Sequence, residues 1–177
     1  MKVTWVFVCG PSGAGKDSVI NSASQLLGKR SDIVFARRIV TRAVHPGSDH
    51  DAVSESAFLA LLQSGGLCWH WRAHGFYYGI ARHYADQVQA GRRVVVNGSR
   101  DHVMGLGPSP ERRVVEITAA AHQLAARLAL RGRDVESAMA ERLARNSSLP
   151  TLRADCVIVN DAALAVAGQR LADYLTG

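Results

Sequence analysis

Two hydrophobic rhythms alternate along the chain. Val3-Thr4-Trp5-Val6-Phe7-Val8 is a continuous β-rich apolar run, the pattern of a buried strand. After a glycine-rich stretch, Val19, Ile20, Ala23, Leu26 and Leu27 recur at helical spacing, and Gly28 closes the run. Residues 33–36 predict a second strand, which Arg37, Arg38, Ile39, Val40, Thr41 and Arg42 carry into a polar loop. Residues 45–51 are turn-rich. Ser54 stands as an N-cap before Phe58, Leu61 and Leu62, and Gly65-Gly66 ends that helix. Residues 67–72 and 76–80 predict two strands around Ala73-His74-Gly75. A helix over 84–90 stops at Gly91, and a central strand over 93–96 ends at Asn97-Gly98-Ser99-Arg100. Residues 105–110 predict a loop and 113–117 a strand. A strong helix over 119–131 is broken by Gly132, and Asp134 caps the next one. The last strand covers 155–159 and the closing helix 162–175.

Continuous apolar strands that alternate with helices predict the α/β class, a parallel sheet covered by helices on both faces. Ligands of such sheets bind at the carboxyl ends of the strands. Gly10 to Ser18, Thr41-Arg42, Asn97 to Arg100 and Asn160-Asp161 all fall at predicted strand ends, so they can meet in one cleft.

The stretch Gly10-Pro11-Ser12-Gly13-Ala14-Gly15-Lys16-Asp17-Ser18 carries the first chemistry. Strand, glycine-rich turn and helix follow in the order of a phosphate-binding loop, or P-loop. Its glycines let successive backbone N–H groups converge on one anion. The helix N-terminus adds unpaired N–H groups and partial positive charge. Lys16 places a full charge within reach of the outer phosphates. The usual pattern puts Ser or Thr after the lysine to hold Mg²⁺. Here Asp17 stands there and Ser18 comes one later. Both remain metal candidates, because hard cations prefer oxygen ligands.

With 177 residues, 47% of them hydrophobic, the chain suits one domain with a sizeable core. The net charge of +6 favours an anionic partner. The basic residues are scattered, with no aromatic-basic stripe of the kind that stacks bases. The expected partner is therefore a phosphate-rich small molecule rather than nucleic acid. Cys9, Cys68 and Cys156 have no Cys-x-x-Cys spacing and read as reduced core thiols of a cytoplasmic protein. No run is long enough to span a membrane, and the first residues are too short for a signal-peptide core. Cys68, His70 and His74 read as packing and loop residues rather than metal ligands, and Trp69 and Trp71 as packing residues.

Over nearly its whole length the chain resembles the guanylate-kinase branch of the nucleoside monophosphate kinases. The resemblance rests on the P-loop, Thr41-Arg42, Tyr77-Tyr78-Gly79, Arg127 and Arg131-Gly132 followed by Arg142-Leu143, and Val159-Asn160-Asp161. His50-Asp51-Ala52 departs from the Tyr-x-Phe of guanylate kinases, and Ile80 from their Thr or Ser. Asn97 stands for their acidic strand end, and His45 for a phosphate-binding Arg. A sister family, the ribose 1,5-bisphosphate phosphokinases of phosphonate breakdown, is similar at those positions. It shares Gly-Lys-Asp-Ser at the loop, Trp69-His70-Trp71, Asn97-Gly98-Ser99-Arg100 and Arg142-Leu143-Ala144-Arg145. Ala43 departs from the Pro that often follows Thr-Arg.

This resemblance implies a guanylate-kinase-like P-loop fold in one domain over 1–177. The core would span about 1–40, 81–126 and 150–177, with an acceptor-binding segment over about 41–80 and a lid over about 127–149. It implies ATP-dependent conversion of ribose 1,5-bisphosphate to 5-phosphoribosyl 1-diphosphate, with Mg²⁺. Gly10 to Ser18 would hold the nucleotide, and Asn160 would lie near adenine. Lys16, Arg127, Arg131 and Arg142 would neutralise the transferring group. Thr41, Arg42, His50, Tyr78, Asn97 and Arg100 would bind the acceptor. A nucleoside monophosphate kinase and a non-catalytic guanylate-kinase-like binding module are the competing readings. A homodimer stays open.

Overall fold

A computed structural model describes residues 5–44, 49–130 and 152–177. Strand β1 (Trp5–Cys9) is buried at every position. It lies at the centre of a five-stranded sheet with β2 (Ile33–Ala36), β7 (Arg93–Asn97), β8 (Arg112–Thr118) and β9 (Cys156–Val159), in the order β2-β7-β1-β8-β9. Every pairing in it is parallel. Alternate side chains of a strand point to opposite faces, and β1 divides accordingly. Val6 and Val8 join a core with Val19 and Ala23 of α1 (Lys16–Leu27) and Leu171 and Leu175 of α6 (Leu164–Thr176). Trp5, Phe7 and Cys9 join a second core with Val40, Trp71, Tyr78 and Ile80. The apolar runs are continuous because both faces are covered.

The two outer helices of the first core approach closely. A Cβ on Gly168 would stand 2.6 Å from the Cβ of Ser22, so α6 lies against α1 with no room for a side chain at that crossing. Among the described residues, no helix is long and apolar enough to cross a membrane.

The second core is closed by a four-stranded sheet of order β4-β3-β6-β5. It comprises β3 (Arg38–Val40), β4 (His50–Ala52), β5 (Leu67–Ala73) and β6 (Phe76–Ala81). Here β3 and β4 are parallel, while β6 is antiparallel to both β3 and β5. His74 (φ 51°) and Gly75 (φ 79°) are both left-handed, which is what a tight two-residue hairpin turn requires. The parallel sheet expected from the sequence is thus one of two, and the other is mixed.

Three elements differ from expectation. The chain leaves the first sheet at Arg37, so the run after Ala36 is a separate strand of the other sheet. Arg37 makes ion pairs with Asp49 and Asp51 there. His50–Ala52, expected as turn, is the short strand β4; its polar composition hides a pairing that β3 supplies. Residues 100–105 form α4 (Arg100–Gly105), with Val103 as its one buried residue, too short for a helical period to show. The helices α2 (Glu55–Gln63), α3 (His83–Gln89) and α5 (Ala121–Leu130) fall where expected. Ser54 caps α2 by accepting from the Ala57 N–H at 3.2 Å.

His102 on α4 stacks on Trp71 at 4.8 Å between ring centroids and meets Phe7 and Trp69 edge-on. Burial, with the charges of His70 and Arg112, pushes its pKa down to about 4 from 6.5. The folded chain therefore binds fewer protons than the unfolded chain between these values, and stability should fall as pH falls through that window. His102→Phe is expected to flatten the decline in Tm between about pH 6.5 and pH 4. An unchanged Tm profile would remove His102 as the cause.

Candidate active site

The chain turns sharply where β1 ends. Gly10 has φ 146°, and a Cβ there would stand 1.9 Å from the carbonyl oxygen of Ile117, a backbone atom that cannot move aside. Gly15, at φ 83°, occupies the N-cap of α1, and no side chain caps that helix. Its first N–H groups therefore face the loop, where an anion can use them. The Ala14 N–H donates to Pro11 O at 3.3 Å. Lys16 Nζ donates to Gly10 O at 2.9 Å and Pro11 O at 3.1 Å, which folds its charge back over the loop.

The other side of the loop is braced by Asn160, just past β9. Its side-chain amide donates to Ala14 O at 2.9 Å, and it is buried. A Cβ on Gly15 would collide with that amide nitrogen at 2.7 Å. The Asn160 carbonyl accepts from Arg127 Nη2 at 2.8 Å, and the same nitrogen donates to Gln123 Oε1 at 3.0 Å. Arg127, Asn160 and the P-loop thus form one hydrogen-bonded chain.

Asp17, in the first turn of α1, lies between the two sheets. Its Oδ1 accepts from Asn97 Nδ2 at 2.7 Å and from Arg38 Nη2 at 2.8 Å. The Arg38 side chain is only 12% exposed, and its Cζ lies 5.9 Å from the centre of the Tyr78 ring, within cation–π range. Tyr78 in turn stacks on Trp71 at 5.6 Å, 5° from parallel. Asp17, Arg38 and Asn97 border a cleft of about 330 Å³, which Ser18, Arg37, Asp49, Phe35 and Val95 also line.

Nearby, Arg100 Nε lies 4.0 Å from Glu116 Oε1, and Glu116 is in register with Cys9 of β1. Burial, opposed by Lys16 and reinforced by Glu116, pushes the Cys9 thiol up to about 12. Cys9 is therefore a packing thiol, and none of the three cysteines forms a disulfide.

The predicted site residues separate into groups. Gly10 to Ser18, Asn97, Asn160 and Arg127 come together around the loop. Thr41 ties β3 to β6, accepting from the Tyr77 N–H through Oγ1 at 2.9 Å. His50 is fully buried, with Nε2 2.9 Å from Arg42 O, so its ring supports the chain at Arg42. The Arg42 guanidinium packs 5.8 Å from the Phe76 ring. Arg131, Arg142 and His45 lie outside the described residues. Arg38 and Glu116 were not foreseen. Arg38 follows another arginine in a mixed run, and its partner Asp17 is 21 residues away, so no local pattern marks it.

A glycine cradle at the end of a central parallel strand, with a lysine at the next helix N-terminus, defines a P-loop protein of the kinase type. The solved structure of guanylate kinase from Anaplasma phagocytophilum has the same fold, with a TM-score of 0.68 and 21% identity over 99% of this chain and 85% of that one. No protein-family model matches the chain. It is 42% identical over 163 residues to ribose 1,5-bisphosphate phosphokinase PhnN of Acidiphilium cryptum, covering 92% of this chain and 87% of that protein. It is also 46% identical over 141 residues to a bifunctional ribose 1,5-bisphosphokinase-thymidine phosphorylase of Azorhizobium caulinodans, of which it spans 20%. The chain belongs to the ribose 1,5-bisphosphate phosphokinase family.

Gly10→Ala tests the cradle. Forcing a side chain into that backbone conformation should cost about 1–3 kcal/mol in strain alone, read from urea unfolding. Wild-type stability in the variant would show that the loop does not approach Ile117 as described.

Proposed function

We propose that the chain transfers the γ-phosphoryl group of ATP to ribose 1,5-bisphosphate, forming 5-phospho-α-D-ribose 1-diphosphate and ADP. The single observation that carries this reading is the match along most of both lengths to a relative of that name. The site supports it. The P-loop suits a nucleoside triphosphate tail, and the adjoining cleft is small and sets charged and polar groups beside apolar ones. Ile80, where guanylate kinases carry a hydroxyl, is fully buried in the second core and offers no group to read a base.

Phosphoryl transfer depends on alignment and charge neutralisation. The loop N–H groups and Lys16 hold the outer phosphates of ATP in line with the acceptor. The acceptor presents an ionised oxygen of its anomeric phosphate, so no general base is needed. That oxygen bonds to the γ-phosphorus as the bond to the ADP oxygen breaks. Asp17, with Ser18 one position on, suits Mg²⁺, which takes one or two carboxylates together with substrate phosphates. Bound there, the ion would offset phosphate charge. Among the described residues no cluster of three or more His, Cys, Asp or Glu could hold a metal by itself, in keeping with an ion that arrives with the nucleotide.

We assign acceptor binding to a segment over about 41–80, with Thr41, Arg42, His50 and Tyr78, joined by Asn97 of β7 and Arg100 of α4. Thr41 and His50 act by holding the chain at Arg42, whose guanidinium suits phosphate oxygens. Arg127 would offset charge on the transferring group, while Arg131 and Arg142, in the lid expected over about 127–149, lie outside the described residues. Asn160 holds the loop at Ala14 on the nucleotide side.

Phosphorus NMR of ATP, Mg²⁺ and each of ribose 1,5-bisphosphate, GMP and AMP tests the reading. A diphosphate should form on the sugar, and rapid use of GMP in its place would overturn it. Lys16→Ala should lower kcat about a hundredfold or more while unfolding stays cooperative. Retained turnover would remove Lys16 from the mechanism.

A further inference from the structure

We propose that Asn97 and Asp17, braced by Arg38, read a hydroxyl group of the acceptor sugar. This rests on the acceptor reading above and gives its specificity a location. The three residues come from three elements: the first turn of α1, the start of β3 and the end of β7. All three line the cleft.

The orientation of Asn97 is set by its partner. A carboxylate only accepts, so the amide NH₂ group of Asn97 turns to Asp17 Oδ1, 2.7 Å away. The carbonyl oxygen of the same amide then faces elsewhere. Asn97 is 7% exposed, and its Oδ1 is buried with no hydrogen-bond partner among the described residues. A buried acceptor without a donor is unusual enough to need a reason. Asp17 also has capacity to spare, since among the described residues both of its side-chain hydrogen bonds arrive at Oδ1.

The missing partner must bring a proton to share. The phosphates of either substrate bring none near neutral pH, and two acceptor oxygens repel them. A sugar hydroxyl brings one. Arg38 makes the arrangement tolerable by neutralising Asp17 and fixing it, and its packing against Tyr78 holds the guanidinium in turn. A site built to hydrogen-bond a hydroxyl rejects analogues lacking it, because its own polar group is then left unpaired. Asn97 is thereby a specificity-determining residue, and Arg38 a positioning residue.

The test compares kcat/KM for ribose 1,5-bisphosphate with its 2-deoxy and 3-deoxy analogues, in the wild-type chain and in Asn97→Ala. The wild type should prefer the full sugar over one analogue by at least about tenfold, and Asn97→Ala should bring that ratio within about threefold through loss on the full sugar. Equal use of all three sugars by the wild type, which needs no variant to fold, overturns the proposal. That result would follow if a metal-bound water supplied the donor. A preference kept intact in Asn97→Ala also overturns it. If no sugar is phosphorylated while GMP is, the acceptor reading itself falls, and the proposal with it.

Discussion

One carboxylate oxygen holds this site together. Asp17 Oδ1 accepts from Arg38 and from Asn97, and so ties the helix after the P-loop to both sheets. An ion pair on an open surface contributes little. This one differs in its setting, since Arg38 is largely buried and lies against an aromatic ring that is itself stacked on Trp71. The result is a join between the helix that follows the P-loop and the mixed sheet, to which we assign the acceptor. Transfer between two substrates depends on such a join, because small errors in alignment cost large factors in rate.

The loop is held with equal economy on its other side. Ile117 leaves no room for a side chain at Gly10, and the Asn160 amide leaves little at Gly15. The cradle is therefore shaped by neighbouring strands as much as by its own glycines. Through Asn160 it is also linked to Arg127 on α5. The charges expected at the nucleotide thus belong to a network that reaches from α5 to α1. The aromatic layer of Trp5, Phe7, Trp69, Trp71, Tyr78 and His102 fills the space between the sheets and sets the distance across which Arg38 must reach.

Much of this was legible in the chain itself. The P-loop, the covered parallel sheet, the 67–81 hairpin and the Ser54 cap all rest on local signals, namely apolar runs, turn residues and a capping hydroxyl. The resemblance to ribose 1,5-bisphosphate phosphokinases rested on motifs of the same short range, and the family match bears it out. Less visible were the change of sheet at Arg37, the polar strand at His50 and the short helix after Arg100. Each is stabilised by a partner distant in sequence, and none has enough apolar positions to show a period.

What the sequence determined alone was therefore the order of elements and the presence of a phosphate cradle, because backbone preference and apolar spacing act over a few residues. Tertiary structure decided which side chains serve that cradle. Asp17 reads from the sequence as a metal candidate alone, and Arg38 and Asn97, 21 and 80 positions away, add a bridging role that no local pattern shows. His50 reads as an acceptor candidate, and only the fold shows it buried with its ring against the Arg42 carbonyl. A hydrogen bond depends on distance in space, and only the packing of the two sheets against each other sets that distance.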